Sequence, residues 1–173
     1  MDPSQAYRAS KTLAEKAAWS FLSSESPASF DIATVNPPLI FGPVIHQITS
    51  AKALNTSVAA FYAYLQGTKS SSDAQAAAGS YVDVRDVARI HVEALCTPEA
   101  GGKRFLVSSS SFSYNDLLFE LQASEEGHKL LEGEFPKAVK GEMGKESPRQ
   151  NRIETKRARE TFGWQPIATD KML

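Results

Sequence analysis

Residues 30–38 (FDIATVNPP) limit the fold more than any other stretch. The first seven have the apolar and β-branched content of a buried strand, a kind found in parallel sheets covered by helices. Pro37 and Pro38 close it, since neither can donate to a ladder. Ahead of it, residues 4–24 contain no glycine or proline and read as one helix, with Asp2 or Ser4 as cap and Pro3 in the first turn. Leu13, Ala17 and Phe21 recur at three-to-four spacing on that helix and are expected to pack inward. Helix, buried strand and double proline together predict an α/β fold. In open α/β sheets ligands meet the carboxyl ends of the strands, which here means residues 37–43.

The rest of the chain keeps the same alternation. An amphipathic helix is expected over 50–66, through Ala53, Leu54, Val58, Phe61, Tyr62 and Leu65. Residues 67–79, poor in large apolar side chains, read as a loop. A short strand follows at 81–84, then a helix capped by Asp86 with Val87, Ile90, Ala94 and Leu95 on its inner face. Gly101-Gly102 turns the chain into a strand at 103–109, and Ser113 caps a helix over 114–123. Scattered glycine, proline and charge make 125–152 irregular, and a last helix within KRARETFGWQP ends at Gly163.

Composition removes several classes of function. The 173 residues, 42% of them apolar, suffice for one domain with a sizeable core. A net charge of -1 without a basic block offers nothing to nucleic acid or to an acidic membrane surface. The single cysteine, Cys96, excludes an intrachain disulfide and a multi-thiolate metal site, and reads as a core residue. His46, His91 and His128 have no partners at metal-ligand spacing, so no metal is expected. No run approaches the ~20 apolar residues of a membrane span, and MDPSQAYRASK lacks the charged and apolar regions of a leader. A soluble, cytoplasmic protein is the resulting expectation.

The chemistry-bearing feature is Tyr7-Arg8-Ala9-Ser10-Lys11. A spacing of four puts phenol and ammonium on one helical face, one turn apart. A unit charge about 4 Å away in an effective dielectric of ~20 is worth about 4 kcal/mol, which favours the ionised phenol. A phenol so placed can hand its proton to the alkoxide formed when hydride adds to a carbonyl. The plainer reading is a packed ring beside a solvated charge, and spacing alone does not separate the two. Asp83, Arg85, Asp86 and Arg89 read as cap and ion-pair partners rather than catalysts.

Taken together, YRASKTLAEKAAW, VNPPLIFGP, LNTS and SYVDVRDVARIHVEAL resemble, in order, the second half of an extended or intermediate short-chain dehydrogenase/reductase. The likeness is to fungal NADPH-dependent aldehyde and ketone reductases and to their plant relatives that reduce dihydroflavonols and cinnamoyl-CoA. It implies the C-terminal half of a Rossmann-type doubly wound fold plus a small α/β substrate lobe. It implies Tyr7 as proton donor, Lys11 as holder of the nicotinamide ribose, Pro37 and the Ile40 backbone at the carboxamide, Ser57 as a cofactor contact and Leu39 lining the substrate pocket. NADP(H) is the implied cofactor, and a small aldehyde or ketone the implied substrate.

Neither G-x-x-G-x-x-G nor G-x-G-x-x-G occurs, and Gly141 and Gly144 are followed by Ser147. The resemblance therefore implies that residues 1–173 form a partial domain, lacking the N-terminal dinucleotide-binding βαβ units and the serine of the family, and clipped at its last helix. A sheet edge and an apolar helix face would be left bare, suiting self-association or pairing with a full-length relative. Two other readings stay open: a non-catalytic binding fragment, and a sugar epimerase or dehydratase, which shares the Tyr/Lys helix.

Overall fold

In the computed structural model, residues 2–24, 28–45, 47–76, 78–142 and 153–171 are described. Helix α1 (Pro3–Ser24) occupies the run free of helix breakers, with the Asp2 carboxylate accepting from Gln5 N at 3.4 Å. After it come β1 (Thr34–Asn36), the double proline and β2 (Leu39–Phe41). Helix α2 (Thr56–Leu65) follows a 3-10 turn at Ala51–Ala53, because Asn55 breaks the expected longer helix by accepting from Val58 N as cap. Helix α3 (Ser71–Ala76), β3 (Ala78–Asp83) and α4 (Val84–Cys96) lead to β4 (Arg104–Leu106) and β5 (Ser110–Ser113). Helices α5 (Tyr114–Ala123), α6 (Glu125–Gly133) and α7 (Lys156–Phe162) complete the order.

Strands β1 and β4 pair in parallel, Val35 opposite Phe105. Strand β2 pairs in parallel with β3, Ile40 opposite Val82, and β5 joins β3 antiparallel. Side chains of a strand alternate between faces, and here the alternation feeds two cores. Leu39, Phe41 and Tyr81 face one built on Tyr64, Phe112, Tyr114, Leu117 and Leu118, whereas Ile40 and Val82 face the other, built on Ile90, Phe105, Val107, Phe162 and Trp164. The first is the small lobe under α2, α3 and α5; the second lies between the sheets, α4 and α7. The α/β class and the two-lobed arrangement agree with the sequence reading.

Several local expectations are corrected. Leu13, Ala17 and Phe21 are exposed on α1, Leu13 at 63% and Phe21 at 52%, since no described element packs over that face. Asp83, not Asp86, caps α4, accepting from Arg85 N at 2.7 Å; the Asp86 carboxylate instead accepts from Ile167 N at 2.8 Å. Leu95 is 89% exposed and Cys96 is exposed, because α4 turns only its Val87, Ile90 and Ala94 side to the core. Within the expected loop at 67–79, Ser70 and Asp73 bond reciprocally and start α3, which delivers buried Ala74 to the small-lobe core. The expected irregular region holds α6, opened by Ser124 accepting from Gly127 N. Strands expected at 30–36 and 103–109 shrink to three residues each, as only those meet in register. His46 and Ser147 lie outside the described residues.

The chain end runs back over the YVDVRD block. Besides Asp86, Arg85 donates to Lys171 O at 2.7 Å, and the Tyr81 and Thr169 hydroxyls bond each other. Ser113 caps α5 through a reciprocal bond with Asp116, and Gly163, at φ 57°, closes α7 as expected. Asp83 is buried; burial pushes its carboxyl up, but hydrogen bonds from the Arg85 side chain and backbone outweigh this and hold it below the ordinary range. Phe105→Ala should cost about 3–5 kcal/mol in urea unfolding, whereas Leu95→Ala should stay within about 0.5 kcal/mol. Equal effects would contradict the placement of the second core.

Candidate functional site

Tyr7 and Lys11 come together as their spacing requires, with Lys11 Nζ 5.3 Å from the centroid of the Tyr7 ring. Tyr7 is 64% exposed, and among the described residues no carboxylate pairs with Lys11. Both groups are thus open to a ligand. A phenol O–H and an ammonium side by side can act together on one polar atom, the first as proton donor and the second as fixed charge.

What locates this pair is a residue the sequence reading passed over. Glu15 continues the spacing of four from Tyr7 and Lys11 and lies on the same side of α1. Its Oε1 accepts from Arg104 Nε at 2.6 Å and from Thr34 Oγ1 at 3.1 Å, and its Oε2 accepts from Asn36 Nδ2 at 3.0 Å. The carboxylate therefore spans β1 and β4, and its side chain is only 18% exposed. Among the described residues, the other side-chain hydrogen bonds of α1 stay within the helix or its cap.

The direction of α1 follows from two contacts. Phe21 stacks on Phe30, ahead of β1, with centroids 6.5 Å apart, while Glu15 reaches Thr34 and Asn36. Moving toward the helix start is moving toward the carboxyl end of β1, so helix and strand run antiparallel. At 1.5 Å per residue, Lys11 lies about 6 Å and Tyr7 about 12 Å farther along than Glu15. They project past Asn36, on the side where Pro37 and Pro38 leave the strand. The phenol, the ammonium and the proline segment thus belong to one end of the sheet, the end at which open α/β sheets take ligands.

The remaining candidates are placed more loosely. Pro37 and Ile40 are half-buried, and Ile40 sends its side chain into the second core, leaving its backbone for any ligand contact. Leu39 is half-buried against the small-lobe core. Ser57 sits half-buried in the first turn of α2, which packs on β2. A cavity of about 300 Å³ lined by Asp31, Val35, His91 and Leu95 lies toward the amino end of β1, away from Tyr7 and Lys11. Among the described residues no group of three or more acids, histidines or cysteines could hold a metal, and no helix is long and apolar enough to cross a membrane.

The hydrogen bond from Arg104 holds the Glu15 carboxyl below its ordinary value near 4.5; burial opposes this and the Thr34 hydroxyl adds to it. Because the folded carboxyl is the more acidic, its stabilisation is complete above the unfolded value and is lost as pH falls through the folded one. Glu15→Gln should therefore lower the melting temperature at pH 7, and the gap to wild type should close on acidification below about 4.5. A gap that widens in acid would refute the anchoring role.

No family profile matches the chain. It is 41% identical over 125 residues to the ketoreductase azaE of Aspergillus niger, covering 72% of this chain and 37% of that protein. It is 32% identical over 164 residues to the NADPH-dependent methylglyoxal reductase of Saccharomyces cerevisiae, covering 94% of this chain and 47% of the relative. The crystal structure of Gre2 from Candida albicans in complex with NADPH superposes with a TM-score of 0.75 at 27% identity, over 99% of this chain and 50% of that one. The chain thus spans between about a third and a half of the length of the relatives it matches.

Proposed function

We infer from this chain's likeness to a ketoreductase and to NADPH-dependent methylglyoxal reductases that it belongs among the extended short-chain dehydrogenase/reductases and carries the proton-donating half of an NADPH-dependent carbonyl reductase. The observation that carries the reading is the Tyr7–Lys11 pair held by Glu15 past the carboxyl end of β1. The chain spans only part of its relatives, so the activity of a whole enzyme belongs to the proposal, as does a cytoplasmic place of work.

Bound NADPH would supply the hydride to the carbonyl carbon. Tyr7 Oη then donates its proton to the carbonyl oxygen, the product is the alcohol, and the phenolate regains a proton from solvent. Lys11, beside the ring, stabilises the phenolate and has ammonium donors for the ribose hydroxyls. The chain's residues fit such a cofactor at the nicotinamide end: among the described residues, the Lys11 ammonium pairs with no carboxylate, and the buried acceptor Asn36 Oδ1 at the strand terminus has no partner. Pro37 and the Ile40 backbone are proposed for the carboxamide, Ser57 for a further cofactor contact and Leu39 for the substrate side. An aldehyde or ketone small enough to reach the phenol is the substrate class.

Purified chain titrated with NADPH should show enhanced cofactor fluorescence, and should reduce small aldehydes. Tyr7→Phe should keep cofactor binding and lower kcat/KM about 10²–10⁴-fold, while Lys11→Met should weaken both. Tyr7→Phe with full activity would end this assignment, and absence of binding at millimolar NADPH would favour a non-catalytic fragment. A nucleotide-sugar panel run beside the aldehydes tests the epimerase alternative.

A second reading concerns association. Leu13 and Phe21 lie exposed on α1, Ile45 is almost wholly exposed, and β1 pairs with β4 alone among the described residues. Bare apolar surface beside an open strand edge suits a second copy or a longer relative. Wild type should run larger than a monomer in light scattering, and Leu13→Glu should bring the mass down with little change in melting. Unchanged mass would remove α1 from any interface.

A further inference from the structure

Asn36 is the last residue of β1, directly ahead of Pro37. The orientation of its amide is set by chemistry: a carboxylate only accepts, so the atom facing Glu15 Oε2 at 3.0 Å is the donor Nδ2. Oδ1 is thereby directed away from Glu15. It is buried, and no donor reaches it among the described residues. Buried amide oxygens nearly always have a partner, so a lone one calls for a donor, and this one stands at the end of β1 where a ligand is proposed to bind.

Three features narrow that partner. The atom is an acceptor, so the partner must donate. Lys11 is on the same side of α1 as Glu15, so a second cation here would be repelled and a neutral donor is favoured. The reacting group of an aldehyde or ketone is itself an acceptor and brings no donor. A primary carboxamide N–H satisfies all three, and the neighbouring Pro37 and Ile40 are already proposed to meet that group.

We propose that Asn36 is a ligand-binding residue of this site, its Oδ1 accepting a hydrogen bond from the carboxamide N–H of a bound nicotinamide, and that Glu15 is the residue that positions it. This rests on the reading of Tyr7 and Lys11 as a nicotinamide site. Arg104 shares Glu15 with Asn36 and so separates two roles: anchoring α1, and aiming the amide.

The test uses the whole chain in isothermal titration with NADPH and with its reduced 3-acetylpyridine analogue, whose acetyl group lacks the N–H. Wild type should bind the analogue about tenfold more weakly. Asn36→Ala should bind both alike, at the affinity of the analogue for wild type. Its melting temperature should fall, because the substitution also removes the Nδ2 donor to Glu15, so the readout is the comparison of the two dinucleotides and not stability. Glu15→Gln should reduce the discrimination, while Arg104→Met should lower the melting temperature yet keep it, an outcome that a purely structural role for Glu15 does not give. Wild type that binds both dinucleotides equally overturns the proposal, and this comparison stands even where Asn36→Ala fails to fold. An Asn36→Ala chain that still discriminates overturns it as well. Wild type that binds neither removes the nicotinamide site altogether, a result distinct from binding without discrimination.

Discussion

A helix whose apolar side chains are largely exposed needs something other than hydrophobic burial to fix it, and for α1 that is the carboxylate of Glu15. Leu13, Ala17 and Phe21 contribute little burial, and neither core includes an α1 residue. Glu15 accepts from Arg104, Thr34 and Asn36, a set that draws on both strands of one sheet. Charge-assisted hydrogen bonds are the stronger kind, and here the carboxylate is largely covered while the Arg104 guanidinium stays partly open to solvent. Because the anchor lies one turn beyond Lys11, the same bonds that hold the helix also set the reach of the phenol and ammonium. Position of the chemistry and attachment of the helix are here one interaction.

The rest of the scaffold supplies the fixed end of that interaction. Asn36 and Thr34 hold their places because β1 is in register with β4, and β4 is held by Phe105, whose ring packs tilted against Phe162 with centroids 4.6 Å apart. Beyond the strand, Pro37 and Pro38 separate β1 from β2, so the chain leaves one sheet and enters the other within three residues. That turn is stiff, since proline fixes its own φ and restricts the residue before it. Asn36 is that residue for Pro37. Its backbone is therefore constrained from the sequence side as its side chain is from Glu15.

Much of this was legible because it rests on local chemistry. The helix over 4–24 needs only the absence of breakers; Ser113 and Gly163 act through their own neighbours; and Tyr7 and Lys11 meet because four residues make about one turn. What was missed depends on partners far along the chain. Glu15 looks like any solvated helix acid until Arg104 is seen 89 positions away. Asp86 resembles a cap in sequence, but Asp83 takes that place while Ile167 claims the Asp86 carboxylate. Leu13 and Phe21 follow an inward-facing pattern, which is sound, yet a pattern says only which side is apolar and not whether anything described covers it. Helices α3 and α6 lie in stretches whose composition suggests loop, although the Ser70/Asp73 pair is a local start signal for α3.

The alternation along β2 and β3 has a consequence for how this molecule can be recombined. Adjacent residues of one strand, Leu39 and Ile40 or Tyr81 and Val82, serve different lobes. No crossover point within either strand would transfer one lobe and spare the other. A chimera that borrows the small lobe from a relative must take both strands entire, together with the opposite wall they present. Diversity in such a lobe is more easily gained on α2, α3 and α5 than in the partition itself.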